Sequence, residues 1–172
     1  MVSNNLEELG NFIVIPVAYI TSSPTLDYKL QNRFILNSSA TTYVCNDQFR
    51  FQNFQLSVHE WLYTGNTIVP IEGFSSMEIT LQGPKGPRKA WLTKVALVSS
   101  FHTSIASLKC FIQKDVHWNT QAEELTYQGK MYCKVPQRHG QWVLEYHPLE
   151  AAFPIRSTDP CLDSKVSMDL WH

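Results

Sequence analysis

The chain has 172 residues, enough for one domain with a buried core. Hydrophobic residues make up 44% and charged residues 17%, which excludes general disorder. The formal charge of -1 excludes the strongly basic balance of a nucleic-acid binder, and an aromatic share of 12%, with five Trp, favours aromatic-walled surfaces.

Residues 1–11 read as an extension. The apolar run "FIVIPVAYI" at 12 to 20 is rich in β-branched and aromatic residues and predicts a strand. It is too short to span a membrane, Pro16 interrupts it, and Glu7 and Glu8 precede it where a secretory signal carries basic residues. A cytoplasmic protein with no membrane partner is expected. "RFIL" and "TTYV" predict strands on either side of a small polar loop, and "TIVPIEGFSSMEITLQG" holds two strand-like halves around Glu72-Gly73. "GPKGP" at 83 to 87 predicts the turn between "MEITLQ" and "KAWLTKVALV". Lys85, Arg88, Lys89 and Lys94 near it read as a solvated hairpin tip rather than a phosphate site.

"SIASLKCFIQKD" is the one helix candidate, expected over 105–114. Ile105, Leu108 and Ile112 fall at helical spacing, and Ser104 is placed to cap the start. "VHWNT", "MYCKV" and "QWVLEY" then predict short strands, with turns at "YQGK" and "QRHGQ". Beyond residue 147, Pro148, Pro154 and Pro160 mark a tail over 148–172. Many short strands, one helix and no βαβ alternation imply a mostly-β barrel or sandwich over 12–147.

Cys45, Cys110, Cys133 and Cys161 form no CxxC pair, match no zinc module and are expected as free, mostly buried thiols. His102, His117 and His139 stand near aromatics without metal-ligand spacing, so structural roles and no metal or cofactor are expected. Asp47 in "CNDQ" reads as a turn residue. Ser38 and Ser39 lack the GxSxG frame of a nucleophilic serine.

"FILNSSATTYVCND", "VPIEGFSSMEITLQGPKGPRKAWLTKVALVSSFHTSIASL", "VHWNTQAEELTYQGKMYCKV" and "HGQWVLEYHP" together resemble the protease domain of copia-type retrotransposon polyproteins, especially the fungal kind. The likeness runs from about residue 12 to residue 147. It implies a retropepsin-like fold: a small closed β-barrel with a flap hairpin, placed near 68–80, and one short helix, usually as a homodimer in which each subunit gives one catalytic Asp. The first phrase resembles that family's catalytic loop, hydrophobic-hydrophobic-Asp-Ser/Thr-Gly-Ala, but Asn37 stands where the Asp belongs. A carboxamide is no useful base near neutral pH, and in a homodimer both carboxylates are lost together. Ser39 stands where the family usually has Gly, and Ala106 about where its second inner loop often does. Glu72, at the supposed flap, is a poor substitute for the lost acid, because flaps carry substrate contacts.

Two origins of Asn37 stay open: an introduced substitution of a retrotransposon protease, or a gene that encodes Asn. The initiating Met and the lack of zinc-knuckle and integrase regions imply a free-standing gene captured from a retrotransposon. By family analogy the groove under the flap has walls from Ile35, Ala40, Val69, Ile71, Phe74, Phe101 and Ile105 and binds a small apolar molecule or an extended peptide. Asn37, Ser38 and Ser39 are the candidate catalytic residues, as neutral donors. They suit a shape-driven cyclisation of the Diels–Alder type in fungal secondary metabolism better than hydrolysis, since such a step needs orientation rather than a base. A non-catalytic peptide-binding or dimer-regulating module is the other reading.

Overall fold

Strict alternation makes the longest element. In "GFSSMEITLQG" Gly73, Ser75, Met77, Ile79, Leu81 and Gly83 are buried, with more exposed residues between them. This is the period-2 pattern of a strand with one face on a core. The structure, a computed structural model, describes residues 12–15 (backbone only), 28–65 and 67–147; the expected extension at 1–11 and tail at 148–172 lie outside the described residues. In chain order it contains β1 (Phe12–Ile15), β2 (Phe34–Asn37), β3 (Val44–Cys45), β4 (Gln52–Leu56), β5 (Trp61–Thr64), β6 (Thr67–Pro70), β7 (Gly73–Gly83), β8 (Gly86–Leu97), β9 (Ser104–Ser107), α1 (Leu108–Ile112), β10 (Val116–Asn119), β11 (Glu124–Tyr127), β12 (Lys130–Lys134), β13 (Gln137–Arg138) and β14 (Gln141–Trp142).

The fold is mostly β, as expected. A nine-stranded sheet runs in the order β10-β11-β12-β7-β8-β3-β9-β2, with β4 joined to β7, and curls into a half-barrel. β1, β5 and β6 form a second small sheet in which β1 runs parallel to β5. β7 and β8 are one long hairpin, closed by Gly83↔Gly86 around Pro84-Lys85, where "GPKGP" predicts the turn. "YQGK" and "QRHGQ" are also turns. Gln128-Gly129 and His139-Gly140 have positive φ at both positions, the geometry of a type I′ hairpin turn. Asp47 caps a 3-10 turn at Gln48–Arg50 by accepting from Phe49 N at 2.9 Å.

Two expectations change. The helix spans Leu108–Ile112, not 105–114, and its cap is Ser107, not Ser104. Residues 104–107 are strand instead, because they pair in parallel with β2. The stretch 68–80 is not one hairpin. The chain breaks at Ile71-Glu72, and the hairpin in this region is β5–β6, from Trp61↔Pro70 to Thr64↔Thr67.

Two hydrophobic clusters hold these elements. One gathers Phe34, Leu36, Tyr43, Ile79, Leu92 and Phe111 with neighbours from β10 to β12. The other gathers Ile35, Val44, Leu62, Val98, Ile105 and Val143. Arg50 and Glu145, the latter buried, form a two-pronged ion pair (Nη1 to Oε2, 3.1 Å), and the guanidinium also lies 5.1 Å from the Phe34 ring centre. The pair fastens the 3-10 turn to the segment after β14. The basic cluster behaves as a solvated face: Lys89 pairs with Glu78, and Arg88 stacks 4.0 Å from the Tyr132 ring centre.

Cys45, Cys110 and Cys133 are free thiols, the first and last fully buried; Cys161 lies outside the described residues. Burial pushes the Cys133 thiol up to about 12 from an ordinary 9.0. The folded chain therefore holds this proton over a range where the unfolded chain loses it. The stabilisation is complete below pH 9 and is lost as pH rises toward 12. Urea midpoints taken at pH 8 and pH 10.5 under reducing conditions are expected to fall, and to fall less in Cys133→Ala. An equal fall in both would show that this thiol does not contribute.

Candidate functional site

The site begins with the parallel pairing of β2 and β9. Phe34 aligns with Ser104, Ile35 with Ile105, Leu36 with Ala106 and Asn37 with Ser107. Both strands therefore end side by side. After Asn37 the chain turns into the loop 38–41; after Ser107 it enters α1.

Asn37 holds this loop. Its Oδ1 accepts from Ser39 N at 2.8 Å and from Ala40 N at 3.2 Å. Asn is favoured here because its short side chain reaches the amides two and three residues on. Ser107, fully buried, holds the loop from the other side. Its Oγ donates to Ala40 O at 2.7 Å and accepts from Cys110 N at 3.2 Å. One hydroxyl thus caps the helix and ties it to the loop. Cys110 Sγ adds a contact to Thr41 O at 3.4 Å. Asn37 is half-buried, Ser38 and Ser39 are exposed, and Ala40 is buried.

At the other end of the strand pair, the buried Ser104 hydroxyl donates to Asn46 Oδ1 at 2.9 Å. Asn46 Nδ2 donates to Gln31 O at 2.9 Å and Phe101 O at 3.2 Å. Thr103 Oγ1 lies 2.7 Å from Leu30 O and 2.9 Å from Arg33 O. No motif in the sequence points to Ser107, Asn46 or Thr103. Only Ser107 carries a local signal, as a serine directly before "LKCF".

The seven expected groove residues come together in one cluster behind the Asn37 loop. Ile35, Ala40, Ile71 and Ile105 are buried within it, while Val69, Phe74 and Phe101 are half-buried at its edge. The β5–β6 hairpin adds Leu62 from its inner face. On the other side of this hairpin lies a hollow of about 410 Å³ with Leu56, Val58, Trp61, Pro70 and Ile71 in its walls. Leu56 and Val58 are three-quarters exposed (76% and 75%).

The acids lie in other settings. Glu72 accepts from Ser99 N at 2.7 Å and from Ser99 Oγ, Glu145 pairs with Arg50, Glu124 with Lys134, and Asp115 with His117. Among the described residues no group of His, Cys, Asp and Glu is arranged to hold a metal ion, and no helix is long and apolar enough to cross a membrane. The loop thus carries neutral donors alone: Asn37 Nδ2, Ser38 Oγ and Ser39 Oγ have no hydrogen-bond partner among the described residues. Such a set can orient and polarise a carbonyl, but it supplies neither the base nor the charged acid of hydrolysis. No family model, curated protein or solved structure matches this chain.

Ser107→Ala removes two hydrogen bonds from a buried position. It is expected to lower the unfolding free energy by about 1–2 kcal/mol in urea denaturation. An unchanged midpoint would mean that the hydroxyl does not join the loop to the helix.

Proposed function

We propose that this chain is a retropepsin-like protein without hydrolytic activity, related to copia-type retrotransposon proteases. In this reading Asn37 and its loop serve to bind a small apolar molecule that carries a carbonyl. The observation that supports it is the contact pair from Asn37 Oδ1 to Ser39 N and Ala40 N, at the end of the β2–β9 pair. An oxygen acceptor at this position suffices to hold the loop. Asn therefore keeps the frame while removing the proton chemistry. The half-barrel is then one subunit's share of a closed barrel, β5–β6 is the flap, and a second copy completes the groove.

The apolar cluster behind the loop supports a ligand that gains from desolvation, with Val69, Phe74 and Phe101 as the parts within reach. A reaction suited to such a site is a shape-driven cyclisation of the Diels–Alder type. It takes no proton from the protein, and orientation alone supplies about 7–11 kcal/mol in favourable cases. Asn37 Nδ2 and Ser38 Oγ serve as donors to the carbonyl. A second reading, an extended peptide as ligand, draws on the exposed Leu56 and Val58 beside the hairpin.

The test is a pair of digests over a mixed peptide library, read by mass spectrometry after confirming that residue 37 is still Asn. The unaltered chain is expected to leave the library intact. Asn37→Asp is expected to cleave it, and a transition-state mimic of aspartic proteases is expected to block that cleavage. Cleavage by the unaltered chain would overturn the non-hydrolytic reading. A folded but silent Asn37→Asp chain would overturn the retropepsin-like one.

A further inference from the structure

A second hollow, of about 270 Å³, opens in the other hydrophobic cluster, away from the Asn37 loop. Ile79, Leu81 and Val116 form its apolar base, and Trp91, Tyr127 and Tyr132 line it with aromatic surface. Trp91 and Tyr127 are 52% and 42% exposed, an unusual setting for aromatic rings on a strand face. Tyr43 also lines the hollow. It is 3% exposed, and its hydroxyl has no hydrogen-bond partner. A buried donor without a partner is costly, and it is rare in a settled core. The ring itself is fixed, packed edge-on against Phe111 with centroids 5.7 Å apart. Lys114 lines the same hollow and is exposed.

We propose that this hollow is a binding site for a small aromatic ketone or ester, whose rings lie against Trp91 and Tyr127 and whose carbonyl oxygen accepts from the Tyr43 hydroxyl. The acceptor has to be neutral. Burial, with Cys110 and Tyr132 close by, pushes the Tyr43 phenol far above its usual range, so it stays a donor. A carboxylate carried that deep would lose its water without gaining a countercharge. Lys114, at the exposed side, accommodates an anionic substituent that remains in water. The volume lies just below the usual range for drug-sized ligands, which limits the occupant to about two fused rings.

The experiment titrates the isotope-labelled full chain with 2-acetylnaphthalene and, separately, with 2-isopropenylnaphthalene, a hydrocarbon of closely similar shape in which a methylene group replaces the carbonyl oxygen. Amide and indole shifts should centre on Trp91, Tyr127 and Lys114. The ketone should bind about three- to tenfold more tightly, the factor that one hydrogen bond supplies. Tyr43→Phe should abolish that preference and leave the hydrocarbon's affinity unchanged; it deletes an unpaired hydroxyl, so the fold should persist. Trp91→Ala, at a largely exposed position, should weaken both probes more than tenfold. Failure of either probe to bind up to its solubility limit, shifts centred on Ser38 and Ser39, or a ketone preference that survives Tyr43→Phe would each overturn the proposal. Shifts centred on Ser38 and Ser39 would place the ketone at the Asn37 loop instead; the non-hydrolytic, retropepsin-like reading of that loop rests on the peptide digests and is untouched by any of these outcomes.

Discussion

The parallel pairing of β2 with β9 is the constraint on which the rest of the structure depends. Parallel strands need a long connection, and here everything from β3 to β8 lies within it. β2 is also held on its other edge, where Leu144 N donates to Phe34 O at 2.8 Å and Ile35 bridges to Val143. β3 is then fitted between β8 and β9, through Val44↔Ala96 and Val44↔Ile105. Each strand so placed has both faces covered. Phe34 and Leu36 enter one cluster and Ile35 the other; Tyr43 and Cys45 enter one and Val44 the other. The two clusters are therefore built on a shared set of central strands.

That arrangement explains how the site is made. The strands end together, so Asn37 and Ser107 become neighbours as the last register partners of the pair. The loop after Asn37 gains its order from two short-range amide bonds and from one hydroxyl on the neighbouring chain segment. Charge is kept elsewhere, in the Arg50–Glu145 pair and the Glu72–Ser99 contact. In the proposed reading, a neutral loop backed by an apolar cluster takes ligands recognised by shape and a few hydrogen bonds rather than by charge. The aromatic hollow at Tyr43 follows the same pattern on the other cluster, with one donor in an apolar wall.

Much of this is legible in the sequence where local chemistry decides the structure. "GPKGP", "YQGK" and "QRHGQ" all mark real turns, because Gly is needed where φ is positive. Strict alternation in 73–83 marks β7. The sequence misleads where a distant partner decides. In "SIASL" the spacing of Ile105 and Leu108 suits a helix, yet Ile105 and Ala106 face opposite clusters, as a strand buried on both faces requires. β4 escapes notice since its pattern is mostly exposed, with its shape set by β7; Gly73 is pressed so closely by Gln55 O that a side chain there has no room. β11 is hidden between two turns in a polar stretch, "ELTY". At the site, the loop and Asn37 were visible at once, but the support from Ser107 and Asn46 is long-range and leaves no local pattern.

The most direct measurement of the central claim, that the Asn37 carboxamide holds the loop, is amide hydrogen exchange at Ser39 and Ala40. Ser39 is exposed, so only a hydrogen bond can slow its exchange. Both amides are expected to exchange well below the rate of an unprotected amide in the unaltered chain, and Asn37→Ala is expected to return Ser39 to the unprotected rate while β2 and β9 keep their protection. Unprotected exchange at Ser39 in the unaltered chain, or protection that survives Asn37→Ala, would contradict it.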